Sequence, residues 1–258
     1  MDAIVTAGGI PQPGEPLYPF TKGESKALLN VAGKPMIQWV LDALSGSQSI
    51  QRVVVVGLKA DVPITCSKPV LRVQNRGDMV ENILGSIDML RSAQPQLDAV
   101  LIVASDIPAI TPEMVDWLVN LVQKSDGNVF YNAITRQVME SRYPGSHRTY
   151  VHLKDYEVCG GDMNALRLSV LDTENPMWKR LVEARKSPLK QASIIGFDIL
   201  LSLLLRRLTL PQAEKRVSLR LGIQGRAILC PYAEVGMDVD KPHQLELMQV
   251  DLARRKPA

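Results

Sequence analysis

Short, unbroken runs of apolar residues alternate with helix-like segments through the first half of the chain, and this alternation constrains the fold most strongly. Ala3–Val5, Val53–Val56 and Ala99–Ala104 contain no polar residue. Such continuous runs are typical of parallel strands that helices cover on both faces of the sheet. Apolar residues recur at helical spacing over Met36–Leu44 and Met79–Leu90. The alternation predicts an α/β fold with a doubly wound, mostly parallel, Rossmann-like sheet.

The second half is less regular, but it contains no repeat, low-complexity tract or linker that would divide the chain. The predicted strands are Val129–Thr135, Thr149–Leu153 and Arg226–Cys230, a polar loop covers Gln137–His147, and the predicted helices are Pro176–Arg185, Leu189–Arg206, Pro211–Leu219 and Pro242–Arg254. A chain of 258 residues is long enough for one large α/β core. We therefore predict a single domain over residues 1–258 with an elaborated second half.

The composition is that of a globular protein without a strongly charged surface. Apolar residues make up 46% and charged residues 22% of the chain, and its formal net charge is +3. A charge so close to balance gives little reason to expect a nucleic-acid or membrane partner. Cys66, Cys159 and Cys230 lack the spacing of a zinc site or a disulfide framework, and the first residues contain no basic leader. We expect a cytoplasmic protein, whose oligomeric state the sequence leaves open.

The first apolar run ends in a glycine-rich loop suited to holding a polyphosphate. Ala7-Gly8-Gly9 follows the strand, and Lys26 returns after a loop with four prolines between residues 10 and 23. Residues without a Cβ let backbone N–H groups approach an anion, and a lysine adds a point charge. The loop is not a P-loop, because Glu15-Pro16 stands where that motif requires lysine and a hydroxyl residue. An ordinary surface loop with turn residues is the alternative interpretation.

Three aspartates follow apolar segments far apart in the sequence. Asp106 comes directly after Ala99–Ala104, and Asp238 and Asp240 lie in an extended segment after Arg226–Cys230. The carboxyl ends of parallel strands open to one edge, so we expect these carboxylates to converge on one metal ion. Mg²⁺ fits, because it prefers a few carboxylates completed by phosphate oxygens and water. The alternatives are a turn-forming role for Asp106 and a helix cap at Asp240.

The order of these motifs resembles the signature of the nucleotidyltransferases with a MobA-like fold. That family includes the molybdenum-cofactor guanylyl- and cytidylyltransferases and related sugar- and polyol-phosphate nucleotidyltransferases. The matching stretches are Ala7-Gly8-Gly9, Ser25-Lys26-Ala27-Leu28-Leu29, Gly33-Lys34-Pro35-Met36, Ser105-Asp106-Ile107-Pro108 and Met237-Asp238-Val239-Asp240-Lys241-Pro242. The resemblance implies a sheet of the nucleotide-diphospho-sugar transferase type.

The resemblance also implies a role for each candidate residue. Asp106 would bind the metal, Asp240 matches the closing aspartate best, and Asp238 is a second candidate for that position. Lys26 and Asp106 would be catalytic, and the remaining implied residues bind the nucleotide (Ala7, Gly8, Gly9, Lys22, Lys26, Asn75, Gly77, Ser86) or the acceptor (Gly160, Gly161, Asn164). The chain departs from the family in having no arginine between Gly8 and Lys26, where Lys22 would take over its role.

The implied activity is Mg²⁺-dependent transfer of a nucleoside monophosphate from an NTP to a phosphorylated or hydroxyl acceptor, with release of pyrophosphate. The partners would be an NTP and a small-molecule acceptor, and the sequence identifies neither the base nor the acceptor. Two alternatives remain open. One is a glycosyltransferase that uses a nucleotide sugar, and the other is a nucleotide-binding module that has lost catalysis.

Overall fold

The computed structural model describes residues 1–172, 194 and 196–255, and its centre is a mixed β-sheet. The described strands are β1 (Asp2–Thr6), β2 (Asn30–Val31), β3 (Lys34–Pro35), β4 (Val53–Val56), β5 (Val70–Val73), β6 (Ala99–Ala104), β7 (Val129–Thr135), β8 (Val151–His152), β9 (Glu157–Gly160), β10 (Met163–Arg167) and β11 (Gly225–Leu229). β2 and β3 form a separate hairpin. The main sheet has the order β5-β4-β1-β6-β10-β7-β9-β8, and β11 pairs with β7.

Helices flank this sheet through the described part of the chain. They are α1 (Tyr18–Thr21), α2 (Met36–Gly46), α3 (Met79–Ala93), α4 (Pro112–Lys124), α5 (Arg136–Arg142), α6 (Ser169–Asp172), α7 (Phe197–Leu204), α8 (Leu210–Leu221) and α9 (Pro242–Ala253), with 3₁₀ turns at Lys26–Leu28 and Ala233–Gly236. No helix in these described ranges has the length and apolar character needed to cross a membrane.

Strands β5, β4, β1 and β6 are all parallel, as their unbroken apolar sequences predicted. Alternate residues of β1 enter two different cores on opposite faces of the sheet. Ala3 and Val5 pack in the cluster that contains the apolar residues of α2 and α4. Ile4 packs in the cluster that contains Ile87 and Leu90 of α3. Helices therefore cover both faces, and the predicted α/β class and doubly wound arrangement are confirmed.

The elaborated second half consists largely of antiparallel strands. β10 runs antiparallel to both β6 and β7, and β9 runs antiparallel to β7 and β8. Gly161 and Asp162 separate β9 from β10, and Gly161 N–H donates to the carbonyl of Asn132 at 2.8 Å. The two strands thus form one edge of β7 with a short interruption between them. This interruption lies beside the carboxyl end of β6, because Ala104 N–H donates to Asp162 O at 2.8 Å.

One sequence prediction in this half is wrong, and another falls partly outside the described residues. Arg136–Arg142 forms helix α5, where a polar loop over Gln137–His147 was expected. The helix starts there because the Thr135 hydroxyl accepts a hydrogen bond from Val138 N–H at 3.3 Å, and Met139 is fully buried beneath it. The predicted helix Pro176–Arg185 lies outside the described residues, as does the beginning of Leu189–Arg206.

Candidate active site

The glycine loop after β1 touches the backbone that follows β4. Gly57 directly follows β4 and has a φ of +92°, a conformation that favours glycine. A Cβ atom added to Gly57 would lie 2.5 Å from the Cα of Gly8. The two glycines therefore allow adjacent strands to bring their backbones together at the carboxyl edge. Gly57 was not among the site residues predicted from the sequence. Its place directly after the Val53–Val56 run, at the carboxyl end of a predicted strand, was a signal that could have identified it.

The chain returns to this glycine loop through two hydrogen bonds. Ser25 Oγ donates to Ala7 O at 2.7 Å in a buried contact, and Lys26 N–H donates to Gly9 O at 2.9 Å. A Cβ atom on Gly9 would approach Lys26 Cε to 3.3 Å. The lysine stem consequently lies against Gly9. A cavity of about 430 Å³ opens beside these residues, and Asp240 borders it from the other side.

The ammonium of Lys26 lies between two of the predicted metal-binding carboxylates. Its Nζ is 2.5 Å from Asp106 Oδ2 and 2.5 Å from Asp240 Oδ1. Burial lowers the Lys26 pKa, but the carboxylates of Asp106 and Asp240 outweigh that effect and raise the pKa above its ordinary value. Lys26 is therefore a cation throughout the physiological pH range. It links the glycine loop after β1 to the chain after β6 and to the segment before α9.

The three predicted aspartates converge. Carboxylate oxygens from Asp106, Asp238 and Asp240 lie within 4.8 Å of one another. Val239 N–H donates to Asp106 O at 3.0 Å, which ties the two segments together, and the carboxylates on either side of Val239 both join the cluster. Asp106 Oδ1 is buried and forms no hydrogen bond with the described residues. A set of hard oxygen donors with such an orphaned atom fits Mg²⁺.

Asp240 does not cap the last helix with its carboxylate. The N-cap of α9 is Lys241, and the N–H groups of Asp240 and Lys241 both donate to Gln244 Oε1 at 2.9 Å. The Gln244 side chain thus satisfies the backbone donors of Asp240 and Lys241, and Lys241 occupies the cap position that the alternative interpretation assigned to Asp240. The Asp240 carboxylate instead lies against Lys26, with just over half of the Asp240 side-chain surface exposed (54%) at the mouth of the cavity.

Arg148 and Asp162 belong to the same cluster, although neither was among the site residues predicted from the sequence. The guanidinium of Arg148 forms an ion pair with Asp238 and lies 4.0 Å from Asp162 Oδ2. Burial, and after it the charge of Asp106, raises the pKa of Asp162 to about 7, with Arg148 partly opposing the rise. Arg148 follows no strand and belongs to no motif, so its position depends on the folded loop between α5 and β8.

On the β5 side, the predicted nucleotide residues form a small amide network next to Gly8. Asn75 Oδ1 accepts hydrogen bonds from Gly77 N–H at 3.0 Å and from Asn82 Nδ2 at 3.1 Å. A Cβ on Gly8 would lie 3.4 Å from Asn75 Nδ2. Ser86 is fully buried and donates to Asn82 O at 2.7 Å. Ser86 therefore holds the backbone of Asn82 in place, and the side chain of Asn82 is the one that lies near Gly8.

Lys22 lies apart from the aspartates, at the left-handed C-cap of the short helix α1, where it is exposed. Its φ is +49°. The structure gives it no contact with Asp106 or Asp240 among the interactions of the described residues. Its role in place of the loop arginine stays a prediction.

The predicted acceptor residues hold the interruption between β9 and β10 in place. Asn164 Oδ1 accepts from Asn132 N–H at 2.8 Å, and its Nδ2 donates to Gly161 O at 2.7 Å. A Cβ on Gly161 would lie 2.8 Å from the Cβ of Asn132, and one on Gly160 would overlap the Tyr131 hydroxyl. Close packing thus accounts for both glycines. Asp162, between them and Asn164, is the residue of this segment that the fold brings to the aspartate cluster.

These features place the molecule among the α/β proteins that handle phosphates at the carboxyl edge of the sheet. Residues 4–170 match the MobA-like NTP transferase domain, which is well over half of the chain. The chain belongs to this family of nucleotidyltransferases. The resemblance that the motifs indicated is therefore confirmed.

Solved structures share this fold. A hypothetical transferase from Thermus thermophilus is 32% identical, with a TM-score of 0.77 over 95% of this chain and 99% of that chain. CMP:2-keto-3-deoxy-manno-octonic acid synthetase, solved with CTP, covers 98% of both chains with a TM-score of 0.57, and at 16% identity this likeness shows the fold alone.

Two curated proteins match a shorter part of the chain. The bifunctional protein GlmU of Thermoanaerobacter pseudethanolicus is 35% identical over 40% of this chain and 22% of that protein. A probable molybdenum cofactor guanylyltransferase of Pyrococcus horikoshii is 33% identical over 38% of this chain and 47% of that protein. The chain spans less than half the length of these curated relatives.

Proposed function

We propose that this protein is a Mg²⁺-dependent nucleotidyltransferase that transfers a nucleoside monophosphate from an NTP to a small phosphorylated or hydroxyl acceptor. The observation that carries the proposal is the position of Lys26, which lies against Gly9 with its ammonium between Asp106 and Asp240. A cation at the junction of a glycine loop and a carboxylate cluster suits a reaction in which phosphate charge is redistributed.

The chain's own residues would act by binding and by neutralising charge. The loop Ala7-Gly8-Gly9 has the short side chains that let a triphosphate approach its backbone. Lys26 would move from the carboxylates to the phosphates and stabilise charge on the α-phosphate as the bond to pyrophosphate breaks. The cavity of about 430 Å³ beside Gly9 and Lys26 provides room for part of the nucleotide.

The proposed transfer needs no reactant other than the NTP, the acceptor and water. An oxygen of the acceptor attacks the α-phosphorus in line, the α-phosphorus bond to the bridging oxygen breaks, and pyrophosphate leaves with that electron pair. A hydroxyl acceptor loses its proton to water, and a phosphate acceptor needs no proton transfer. Positioning and charge stabilisation supply most of the rate in chemistry of this kind.

Asp106, Asp238 and Asp240 would hold the Mg²⁺. When bound, the ion would neutralise part of the negative charge of the phosphates. The orphaned Asp106 Oδ1 supports this assignment, because a buried carboxylate oxygen without a partner costs free energy that a cation recovers.

The alternatives use the same sheet but not the same group of residues. A glycosyltransferase releases a nucleoside diphosphate and has no leaving pyrophosphate for Lys26 to stabilise. A nucleotide-binding module without catalysis has no need to hold a lysine between two carboxylates. The position of Lys26 therefore favours the nucleotidyltransferase over both.

Pyrophosphate release tests the proposal directly. The protein would be incubated with each of the four common NTPs, Mg²⁺ and a panel of sugar phosphates, polyol phosphates and their unphosphorylated forms. We expect pyrophosphate in amounts equal to the nucleotidylated product, and none after chelation of the metal. Release of nucleoside diphosphate from a nucleotide sugar would instead identify a glycosyltransferase, and NTP binding without turnover of any acceptor would identify a binding module.

A further inference from the structure

The cluster contains a second cation, Arg148, that the proposed reaction has not used. Its guanidinium is paired with Asp238 and lies 4.0 Å from Asp162, and only 15% of its side chain is exposed. Its Nε is buried and has no hydrogen-bond partner among the described residues. A guanidinium this deep in a site, with a donor left unsatisfied, is costly unless the site offers it a further partner.

The backbone that carries Arg148 is held in place. His243 Nε2 lies 3.1 Å from Ser146 O, and Ser146 N–H donates to Tyr143 O at 3.1 Å. Ser146 is fully buried, and His147 adopts a left-handed φ of +51° directly before Arg148. A non-glycine residue in that conformation persists only where the surroundings enforce it. The segment therefore aims Arg148 into the cluster as a fixed feature of the fold.

Arg148 and Lys26 lie on opposite sides of Asp106. Lys26 belongs to the loop after β1, whereas Arg148 contacts Asp162, which precedes β10. The sheet order β1-β6-β10 places Asp106, after β6, between them. If the triphosphate occupies the side of Gly9 and Lys26, an in-line acceptor must approach from the side of Asp162 and Arg148.

Formal charges account for the ion pair between Arg148 and Asp238. Even with Asp162 protonated, the three carboxylates of Asp106, Asp238 and Asp240 outnumber the two cations Lys26 and Arg148, so the cluster lacks positive charge. A divalent ion held by Asp238 would supply that charge and would remove the need for the arginine at the same carboxylate. Arg148 is then free to bind an anion.

We propose that Arg148 recognises an oxyanion on the acceptor, a phosphate or a carboxylate, and that binding of a divalent ion releases it from Asp238 for this purpose. This inference rests on the proposed function. The planar guanidinium binds such groups with two parallel N–H donors, which lysine cannot do. The protein would thus have its arginine on the acceptor side, while the loop after β1, where the family resemblance calls for one, has none.

Binding of inorganic phosphate tests this inference without turnover. Wild type, Arg148→Met, Arg148→Lys and the control Arg136→Met would be compared by thermal shift, with a non-hydrolysable NTP analogue at saturation, with and without saturating Mg²⁺, and with ionic strength held constant. Arg136 is a matched control, because it is an arginine of neighbouring α5 that pairs with Glu157 outside the cluster.

Phosphate should stabilise the wild type and Arg136→Met only when Mg²⁺ is present. It should have little effect on Arg148→Lys and none on Arg148→Met, although both should bind the NTP analogue normally. Equal stabilisation of Arg148→Met and wild type, or no effect of phosphate on either, would overturn the inference. A failure of wild type to bind Mg²⁺ and the analogue would instead count against the proposed function.

Steady-state kinetics give the second readout. Arg148→Met should raise KM for an anionic acceptor by about 30-fold or more, which corresponds to losing one partner of a buried charge pair, and should leave KM for the NTP unchanged. Phosphomonoester and carboxylate acceptors of matched shape distinguish the two sources of the oxyanion. Pyrophosphate release by wild type with uncharged acceptors alone would refute the role of Arg148 while leaving nucleotidyl transfer intact.

Discussion

On the β1 side of Asp106 the site consists of one strand and its loop, whereas on the β10 side it consists of residues from three separate segments. Ala7-Gly8-Gly9 and Ser25-Lys26 belong to one strand and its loop. Arg148, Asp162 and Asp238 meet only in the folded chain. The residues of the first side therefore form a motif that can be recognised in the sequence. The positions of the residues on the second side depend on how the second half of the chain packs.

Both sides are nevertheless held firmly. Lys26 N–H is bound to Gly9 O on one side, and Asp162 N–H donates to Val235 O at 2.8 Å on the other. The difference lies in what supplies the support. A parallel strand and its loop support the first side, and the strands β9 and β10, both antiparallel to β7, support the second together with the 3₁₀ turn Ala233–Gly236.

Removing the cation of the β1 side should have the largest effect. We expect Lys26→Ala to lower kcat for nucleotidyl transfer by about 10²–10³, because an electrostatic group aimed at the developing charge is lost. The matched control is Lys34→Ala, since Lys34 also pairs with an aspartate, Asp42, at 2.7 Å but lies outside the cluster. Circular dichroism would check that both variants fold. Normal turnover in Lys26→Ala would remove this lysine from the mechanism.

The close contact between the loops after β1 and β4 should give the next largest effect. Gly57→Ala should destabilise the protein by about 2–4 kcal/mol, because strain at a positive φ adds to overlap with the backbone of Gly8. Gly23→Ala separates the two contributions, since Gly23 has a φ of +89° but no heavy atom within 4 Å of its added Cβ. Denaturant unfolding of both variants measures the difference. Equal losses would show that the contact contributes nothing.

Sharing of one metal ion across the two sides should give a smaller effect. Mg²⁺ at about one hundred times its dissociation constant should stabilise the wild type by about 2.7 kcal/mol. Asp106→Asn and Asp240→Asn should each lose most of this stabilisation. The double variant should lose little more, since both substitutions remove the same site. Losses that add in full would assign the two aspartates to separate sites.

The same contrast explains how much of the molecule could be predicted from its sequence. The parallel strands follow from apolar runs, Asp106 directly follows one of these runs, and Lys26, Asp238 and Asp240 lie in segments after predicted strands. The convergence of Asp106 with Asp238 and Asp240 was predicted on that basis. Arg148 could not be predicted in this way. Its approach to Asp238 requires helix α5 and the left-handed His147, and neither leaves a periodic signal.

The segment between β9 and β10 shows a second limit of prediction from the sequence. Gly160, Gly161 and Asn164 were selected as residues that face a ligand, but a glycine between two strands has the same sequence signature when it faces a packed side chain. Here Gly161 lies against Asn132, and Asn164 uses its amide within the chain. Asp162 was the informative member of this stretch, because its carboxylate is brought near Asp106 by pairing with Ala104.

The smallest expected effect concerns Asp162. Its measurement tests whether the carboxylates of Asp162 and Asp106 repel each other when no metal is bound. Burial and the charge of Asp106 raise the Asp162 pKa from 3.8 to about 7, with Asp240 adding to the rise and with Arg148 and Lys26 opposing it. The folded protein therefore holds a proton that the unfolded chain releases near pH 4. Stability from this group is present at low pH and is lost as the pH rises through about 7.

Asp162→Asn should accordingly reduce the fall in stability of the metal-free protein between about pH 4 and pH 7, the window between the ordinary pKa of 3.8 and the raised pKa of about 7. The exposed carboxylate of Asp88, in α3, gives a control in Asp88→Asn, which should follow the wild-type curve. Melting temperatures measured with chelator across this pH range would show the difference. Because a bound cation offsets the same repulsion, saturating Mg²⁺ should make the wild-type and Asp162→Asn curves more nearly parallel. Curves that already coincide without metal would mean that solvent screens the Asp162 carboxylate.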